Sequence, residues 1–209
     1  MPNEEIKKQN VDRALGTACA CFLEHGVEFV TREMVSRESG ISRASLGRYW
    51  TDKTDCVIQT TEWFRRHMQG VFEESFMKEG WETKRGIDQL RCFMEWCREL
   101  FREDPRIFAL YTEFKVYLHR SAADLNEEQK KPIRAMGFRP LIREIYEQGV
   151  KDGSIVVLFD INDEVAFLGD AFFGYLLNLA FQTEFTIERK LEDIDRYIER
   201  MILIYSGNK

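Results

Sequence analysis

Apolar residues recur every three or four positions along nearly the whole chain, and no convincing two-residue alternation bounded by hairpin turns interrupts them, so the pattern predicts an all-α protein. Val11, Leu15, Ala18, Cys19 and Phe22 set the stripe of a first helix over about 4–25, which Gly26 ends in a left-handed turn. Two short helices follow, about 32–39 and from Ser42 to Trp50, with Thr31 and Ser42 placed as N-caps and Gly40 as the stop between them. Asp52 with Asp55 three residues on resembles a capping box opening a long helix to about Lys78. Beyond Gly80 the period continues through Ile87, Leu90, Met94, Cys97 and Phe101; Asp104-Pro105 restarts it, and Ile107, Leu110, Tyr111, Phe114 and Leu118 carry the next stripe. A polar stretch, 122–131, precedes a helix through Leu141, Ile145 and Tyr146 that the Gly149-to-Gly153 segment should end, and helices at about 162–182 and 187–205 follow. The clearest joint lies near Asp52, where short helices give way to long ones, and it divides the chain into segments 1–52 and 53–209.

Thirty basic against thirty-six acidic side chains leave a net charge of −6, which argues against a protein that coats nucleic acid or lies on an anionic membrane. The stretch 166–181 is broken by Asp170 and Asn178 and falls short of the ~20 residues of a spanning helix, so it reads as a buried helix. Glu4, Glu5, Lys7 and Lys8 fill an N-terminus without an apolar run, unlike a signal peptide, and a cytoplasmic protein with no membrane partner is expected. The five cysteines lack C-x-x-C spacing and read as small buried hydrophobes; His25, His67 and His119 lie too far apart to pair on one helical face, so no metal and no cofactor are expected. The sequence also lacks G-x-S-x-G, G-x-x-x-x-G-K-[ST] and G-x-G-x-x-G, which weakens any reading as an enzyme.

Chemistry concentrates between Arg32 and Trp50. Two short helices meeting at a sharp angle need a small residue facing the partner, a turn glycine and a few buried apolar side chains, and Ser36, Gly40, Val35, Ile41, Leu46, Tyr49 and Trp50 supply them. The opposite face of the second short helix presents Arg43, Ala44, Gly47 and Arg48, a face suited to a major groove: arginine bonds guanine in bidentate fashion, and small neighbours let the backbone approach the base edges. Thr31, Arg32, Ser42, Ser45, Tyr49 and Lys53 surround it as candidate phosphate contacts. Residues 30–54 hold five basic side chains (Arg32, Arg37, Arg43, Arg48, Lys53) against three acidic (Glu33, Glu38, Asp52), a locally positive segment on an acidic chain.

The string from Thr31 to Trp50, followed by Asp52-Lys53, closely resembles the DNA-binding motif of TetR-family transcriptional regulators. Glu24-His25-Gly26, the Gly149-to-Gly153 turn and two closing apolar helices are similar to that family's layout over the rest of the chain. The resemblance implies an N-terminal three-helix DNA-binding domain, 1–52, followed by a larger helical ligand-binding and dimerisation domain, 53–209. Its partners would be a double-stranded DNA operator, a small-molecule effector and a second copy of the chain. One departure stands out: Gly47 occupies the place where the family usually carries a phosphate-touching tyrosine, and glycine costs roughly 1 kcal/mol of helix propensity relative to alanine.

Four of the aromatic residues (Phe22, Phe29, Tyr49, Trp50) lie in the first 50 positions and the rest beyond, which suits an aromatic-lined pocket for a flat or hydrophobic effector in the second domain. Cys92, Trp96, Tyr111, Phe114, Phe138 and Phe172 are the candidates for its lining. The last two helices carry more apolar surface than one partner helix needs, so Phe167, Phe173, Leu177, Leu191, Ile194, Ile198 and Met201 are candidates for a four-helix dimer interface. The expected function is a ligand-responsive regulator, a repressor released from a palindromic operator. A helical module that binds a protein partner after losing DNA contact at Gly47, or a small helical enzyme with an aromatic pocket, are the alternatives.

Overall fold

The structure, a computed structural model, describes residues 2–76, 80–121, 123, 125–134 and 138–207. Ten α-helices account for nearly all of them: α1 (Pro2–His25), α2 (Arg32–Ser39), α3 (Arg43–Tyr49), α4 (Lys53–Phe76), α5 (Gly86–Glu103), α6 (Arg106–Arg120), α7 (Glu127–Arg134), α8 (Arg139–Asp152), α9 (Ile161–Phe181) and α10 (Ile187–Tyr205). A 3-10 turn, Trp81–Thr83, precedes α5, and no strand occurs among the described residues. The chain falls into two compact units, Met1–Gln69 with Leu110–Met136 and Gly70–Ala109 with Gly137–Lys209, and passes from one to the other within α4, within α6 and again between α7 and α8.

The first unit is built on α1, whose stripe of Ala14, Leu15, Ala18, Cys19 and Phe22 is buried. Its last turn closes where the Gly26 amide donates to the Phe22 carbonyl at φ 81°, a conformation that glycine adopts without strain. Phe114 of α6 meets Phe22 edge-on at 5.9 Å and Phe64 of α4 at 6.0 Å, and the Glu113 carboxylate accepts the Val27 amide at 2.7 Å. Helix α7 lies in the stretch expected to be a polar connection. Its eight residues carry no sustained apolar stripe, but Asn126 and Gln129 form a reciprocal cap: each side-chain oxygen accepts the other's amide, at 2.9 and 3.0 Å.

The second unit packs α5 against α8 and α10, and α8 against α9. Helix α5 buries Ile87, Leu90, Phe93, Met94, Cys97, Leu100 and Phe101. It meets α8 with almost no side chain between them, since a Cβ on Gly86 would sit 2.2 Å from the Gly149 Cα. The turn after α8 caps α5 directly: the Asp152 carboxylate accepts the Gly86 amide at 2.9 Å and the Ser154 hydroxyl accepts the Ile87 amide at 3.1 Å. Helix α9 starts five residues before the apolar stretch seen in the sequence and reaches 21 residues, long and apolar enough by length and composition alone to cross a membrane. Its Leu168, Phe172, Leu176 and Leu179 are buried in the unit's own core. The buried Glu164 carboxylate accepts the Leu158 and Phe159 amides and the Tyr205 hydroxyl, tying the α8–α9 connection to the end of α10.

Candidate DNA-binding face

Local chemistry fixes the α2–α3 pair at three points. The Thr31 hydroxyl accepts the Met34 amide as the N-cap of α2, Gly40 takes the left-handed turn at φ 68°, and the Ser42 hydroxyl accepts the Ser45 amide as the N-cap of α3. The Ser36 hydroxyl donates to the Ile41 carbonyl at 2.7 Å and closes the turn from inside, while Val35, Ile41, Leu46 and Trp50 are buried beneath it. Behind α3, Asp52 and Asp55 make the expected box: Asp52 accepts the Asp55 amide and Asp55 accepts the Thr51 amide, both at 2.8 Å. Gln59 donates to the last carbonyl of α3, that of Tyr49, at 2.9 Å. Nothing local in the sequence marks Gln59, because its partner lies on another helix.

On this scaffold Arg43, Ala44, Gly47 and Arg48 stand together on the exposed face of α3. Arg48 donates to the Ser45 hydroxyl at 3.0 Å, and Arg43 lies 3.5 Å from the carboxylate of Glu33 on α2, an acidic neighbour that sequence spacing did not single out. Between the two helices runs an open cleft of about 480 Å³, lined by Thr31, Glu33, Met34, Ser36, Arg37 and Arg43. A Cβ on Gly47 would meet only the tip of the Arg32 guanidinium, at 3.5 Å, so the glycine leaves a shallow open place in the middle of the face.

The candidate phosphate contacts divide. Thr31 and Ser42 are exposed and act as caps, and Ser45 and Tyr49 are half-buried. Arg32 turns inward to donate to the Trp50 and Thr51 carbonyls at 3.1 and 2.9 Å. Lys53 donates to the Val30 carbonyl with its ammonium 4.8 Å over the Phe22 ring, and burial holds its pKa below the usual lysine range. Both line a second cleft, about 340 Å³, with Phe22, Val30, Trp50 and Cys56 among its walls. Exposed groups meet anions without rearrangement; Arg32 instead braces the junction between α3 and α4, and Lys53 ties the start of α4 to the loop before α2.

Elsewhere the candidates separate as follows. Tyr111 and Phe114 belong to the first unit; Cys92, Trp96, Phe138 and Phe172 belong to the second. Trp96 and Phe138 meet edge-on at 5.1 Å, while Phe172 stacks on Tyr197 at 5.5 Å. Of the residues expected at a dimer interface, Phe167 is 61% exposed, Phe173 and Leu177 are half-buried, and Leu191, Ile194, Ile198 and Met201 lie in the chain's own core, where α10 packs on α5. All five cysteines are free thiols and four are buried; burial pushes Cys19 up to about 12 and Cys56 up to about 11, which keeps both protonated at neutral pH. No group of His, Cys, Asp and Glu that could hold a metal ion occurs among the described residues.

A capped helix-turn-helix that presents a cationic, small-residue face is the arrangement by which such motifs enter a major groove. Residues 14–60 match the family model of the bacterial regulatory proteins of the tetR family. The fold of the chain is similar to that of solved regulators. It superposes on a TetR-family transcriptional regulator from Agrobacterium tumefaciens with a TM-score of 0.70 at 17% identity, covering 93% of this chain and 98% of that one. The reduced form of Escherichia coli NemR gives 0.69 at 15% identity, covering 96% and 100%, and the fatty acid degradation regulator FadR from Bacillus halodurans gives 0.67 at 13%, covering 90% and 93%. No curated protein matches the sequence closely enough to count as a relative. The chain thus joins an N-terminal segment similar to bacterial regulatory proteins of the tetR family to the fold of solved transcriptional regulators.

Proposed function

We propose that the protein is a homodimeric, ligand-responsive repressor that leaves a palindromic operator when a small hydrophobic or aromatic effector binds. In this reading residues 1–52 form the DNA-binding domain, residues 53–209 bind the effector and the second copy, and the protein works in the cytoplasm. The observation that carries it is the exposed face of α3, where Arg43 and Arg48 flank Ala44 and Gly47 on a helix held by caps at both neighbours. Arg43 and Arg48 read base edges, Ala44 and Gly47 admit the backbone to the groove, and the amide end of α3 with Thr31, Ser42 and Ser45 meets phosphate. Arg32 and Lys53 act one step back, holding the helix at its angle. Across the dimer, the exposed line of Phe167, Gly174 and Phe181, one position every two turns of α9, supplies the contact face.

Release follows from linkage. If effector and operator favour different separations of the two heads, each weakens the other by the same factor. Selection of bound sequences from a random DNA library, with enriched sites retested across salt concentration, tests the reading. An inverted repeat whose binding falls steeply with salt is expected, because each phosphate contact releases counterions. No enrichment at low salt by folded, dimeric protein would overturn it and favour a protein partner for the same face. An effector that binds without changing operator affinity would overturn the linkage.

A further inference from the structure

In the second unit the indole nitrogen of Trp96 is buried and has no hydrogen-bond partner among the described residues, although the side chain is only 2% exposed. An indole N–H can only donate, and a donor left unmade in an apolar interior is a standing cost that native cores rarely keep. The surroundings are aromatic: Phe72 lies 5.0 Å from the Trp96 ring, Phe138 5.1 Å and Phe93 6.0 Å, with Phe173 stacked on Phe138 at 6.0 Å. Phe138 is also the N-cap of α8, where it offers no capping side chain, and Pro140 in the first turn has no amide hydrogen. The orphan donor thus lies one ring away from an uncapped, positively polarised helix end.

We propose that Trp96 is the donor of the effector site, and that the effector is a planar apolar molecule carrying a hydrogen-bond acceptor, a ring nitrogen or a carbonyl, to which the indole N–H donates. The inference rests on the effector reading proposed above and narrows it from any flat hydrophobe to one with an acceptor at its edge. The aromatic rings supply stacking surface without preference among ligands, whereas the buried Trp96 donor rejects a ligand that leaves it unmade.

Quinoline and naphthalene have the same shape and differ by one acceptor nitrogen, which makes them the probe pair. Quinoline is expected to bind the full-length protein about five-fold or more tightly than naphthalene, the affinity equivalent of one hydrogen bond. It is also expected to move the Trp96 indole proton downfield in nitrogen-15 spectra, whereas naphthalene leaves it in place. In Trp96→Phe the two probes should bind alike. Should that variant fail to fold, the wild-type indole signal, assigned by elimination with Trp50→Phe, Trp63→Phe and Trp81→Phe, decides the matter. Equal affinities in wild type, or a preference that survives Trp96→Phe, would overturn the donor assignment and leave the effector reading standing. Binding of neither probe up to its solubility limit overturns the assignment, and if a broader set of aromatic compounds also leaves operator binding unchanged, the effector reading falls with it.

Discussion

Arg43 and Glu33 face each other across 3.5 Å with their side chains 66% and 74% exposed, so the pair contributes about 0–1 kcal/mol and breaks readily when DNA arrives. Removing the carboxylate removes a charge that phosphates would repel, and Glu33→Gln should raise operator affinity about two- to tenfold in a binding titration at low salt. Arg43→Ala should cost about 1–3 kcal/mol of operator binding and relax specificity at one base position, which a library selection on the variant would read. Gly47 makes a third case: exposed, helical and with only the Arg32 tip near its missing Cβ, it should accept alanine. Gly47→Ala should stabilise the fold by about 1 kcal/mol, a rise of about 2–4 °C in Tm by calorimetry. Sequence spacing revealed which residues share the outer face of α3, because helical period alone decides that. It did not reveal that Arg32 and Lys53 point inward, because their acceptors are backbone carbonyls of Trp50, Thr51 and Val30, which any residue provides.

Helices with caps and apolar stripes were legible: Thr31, Gly40 and Ser42 bound α2 and α3 as their chemistry requires. Helix α7 was not, since its signal is a pair of polar side chains, Asn126 and Gln129, rather than a stripe. The joint of α5 and α8 was equally hidden. The Gly149-to-Gly153 segment ends α8 as expected, at Gly153, but the first of its glycines lies inside the helix, where a Cβ on Gly149 would sit 2.4 Å from Ile155 and where Gly86 crosses from α5. Gly149→Ala should therefore destabilise by about 1–3 kcal/mol in chemical denaturation, as overpacked cores do. The neighbouring Asp152 acts through charge. Burial alone would raise its pKa, but hydrogen bonds from Ser154 and from the Gly86 amide outweigh that and hold it below its ordinary 3.8. A carboxylate depressed on folding stabilises above its unfolded pKa and loses that contribution as pH falls through the folded value. Asp152→Ala should cost about 1 kcal/mol at pH 7, and the gap from wild type should close as denaturation is repeated below pH 3.8.

At the scale of the molecule, both of the last two helices keep apolar residues outside. Helix α10 places Leu191, Ile194, Ile198 and Met201 inside its own unit, ties its outer rim to α5 through Arg91–Glu199 and Arg98–Asp195, and exposes Leu203 and Ile204 in its last turn, whereas α9 exposes Phe167 and Phe181 along its length. Periodicity gave the stripes, but only packing decides which stripe meets a second copy, and α5 had already taken that of α10. Light scattering after size exclusion should find a dimer at micromolar concentration. Phe167→Asp with Phe181→Asp should shift it to monomer, with helical circular dichroism unchanged and operator binding weakened as the second half-site is lost. A monomer in the wild type, or a dimer in the double variant, would contradict the assignment of that face.

The open place at Gly47 also makes it an attachment point. A thiol introduced there by Gly47→Cys would stand clear of the body, while Cys19, Cys21, Cys56 and Cys97 stay shut inside and Cys92 can be silenced as Cys92→Ser. An iron chelate tethered to that thiol would cleave the sugars nearest the middle of α3, and the positions of the breaks on a sequencing gel would write the register of the helix, base by base, onto the DNA it grips.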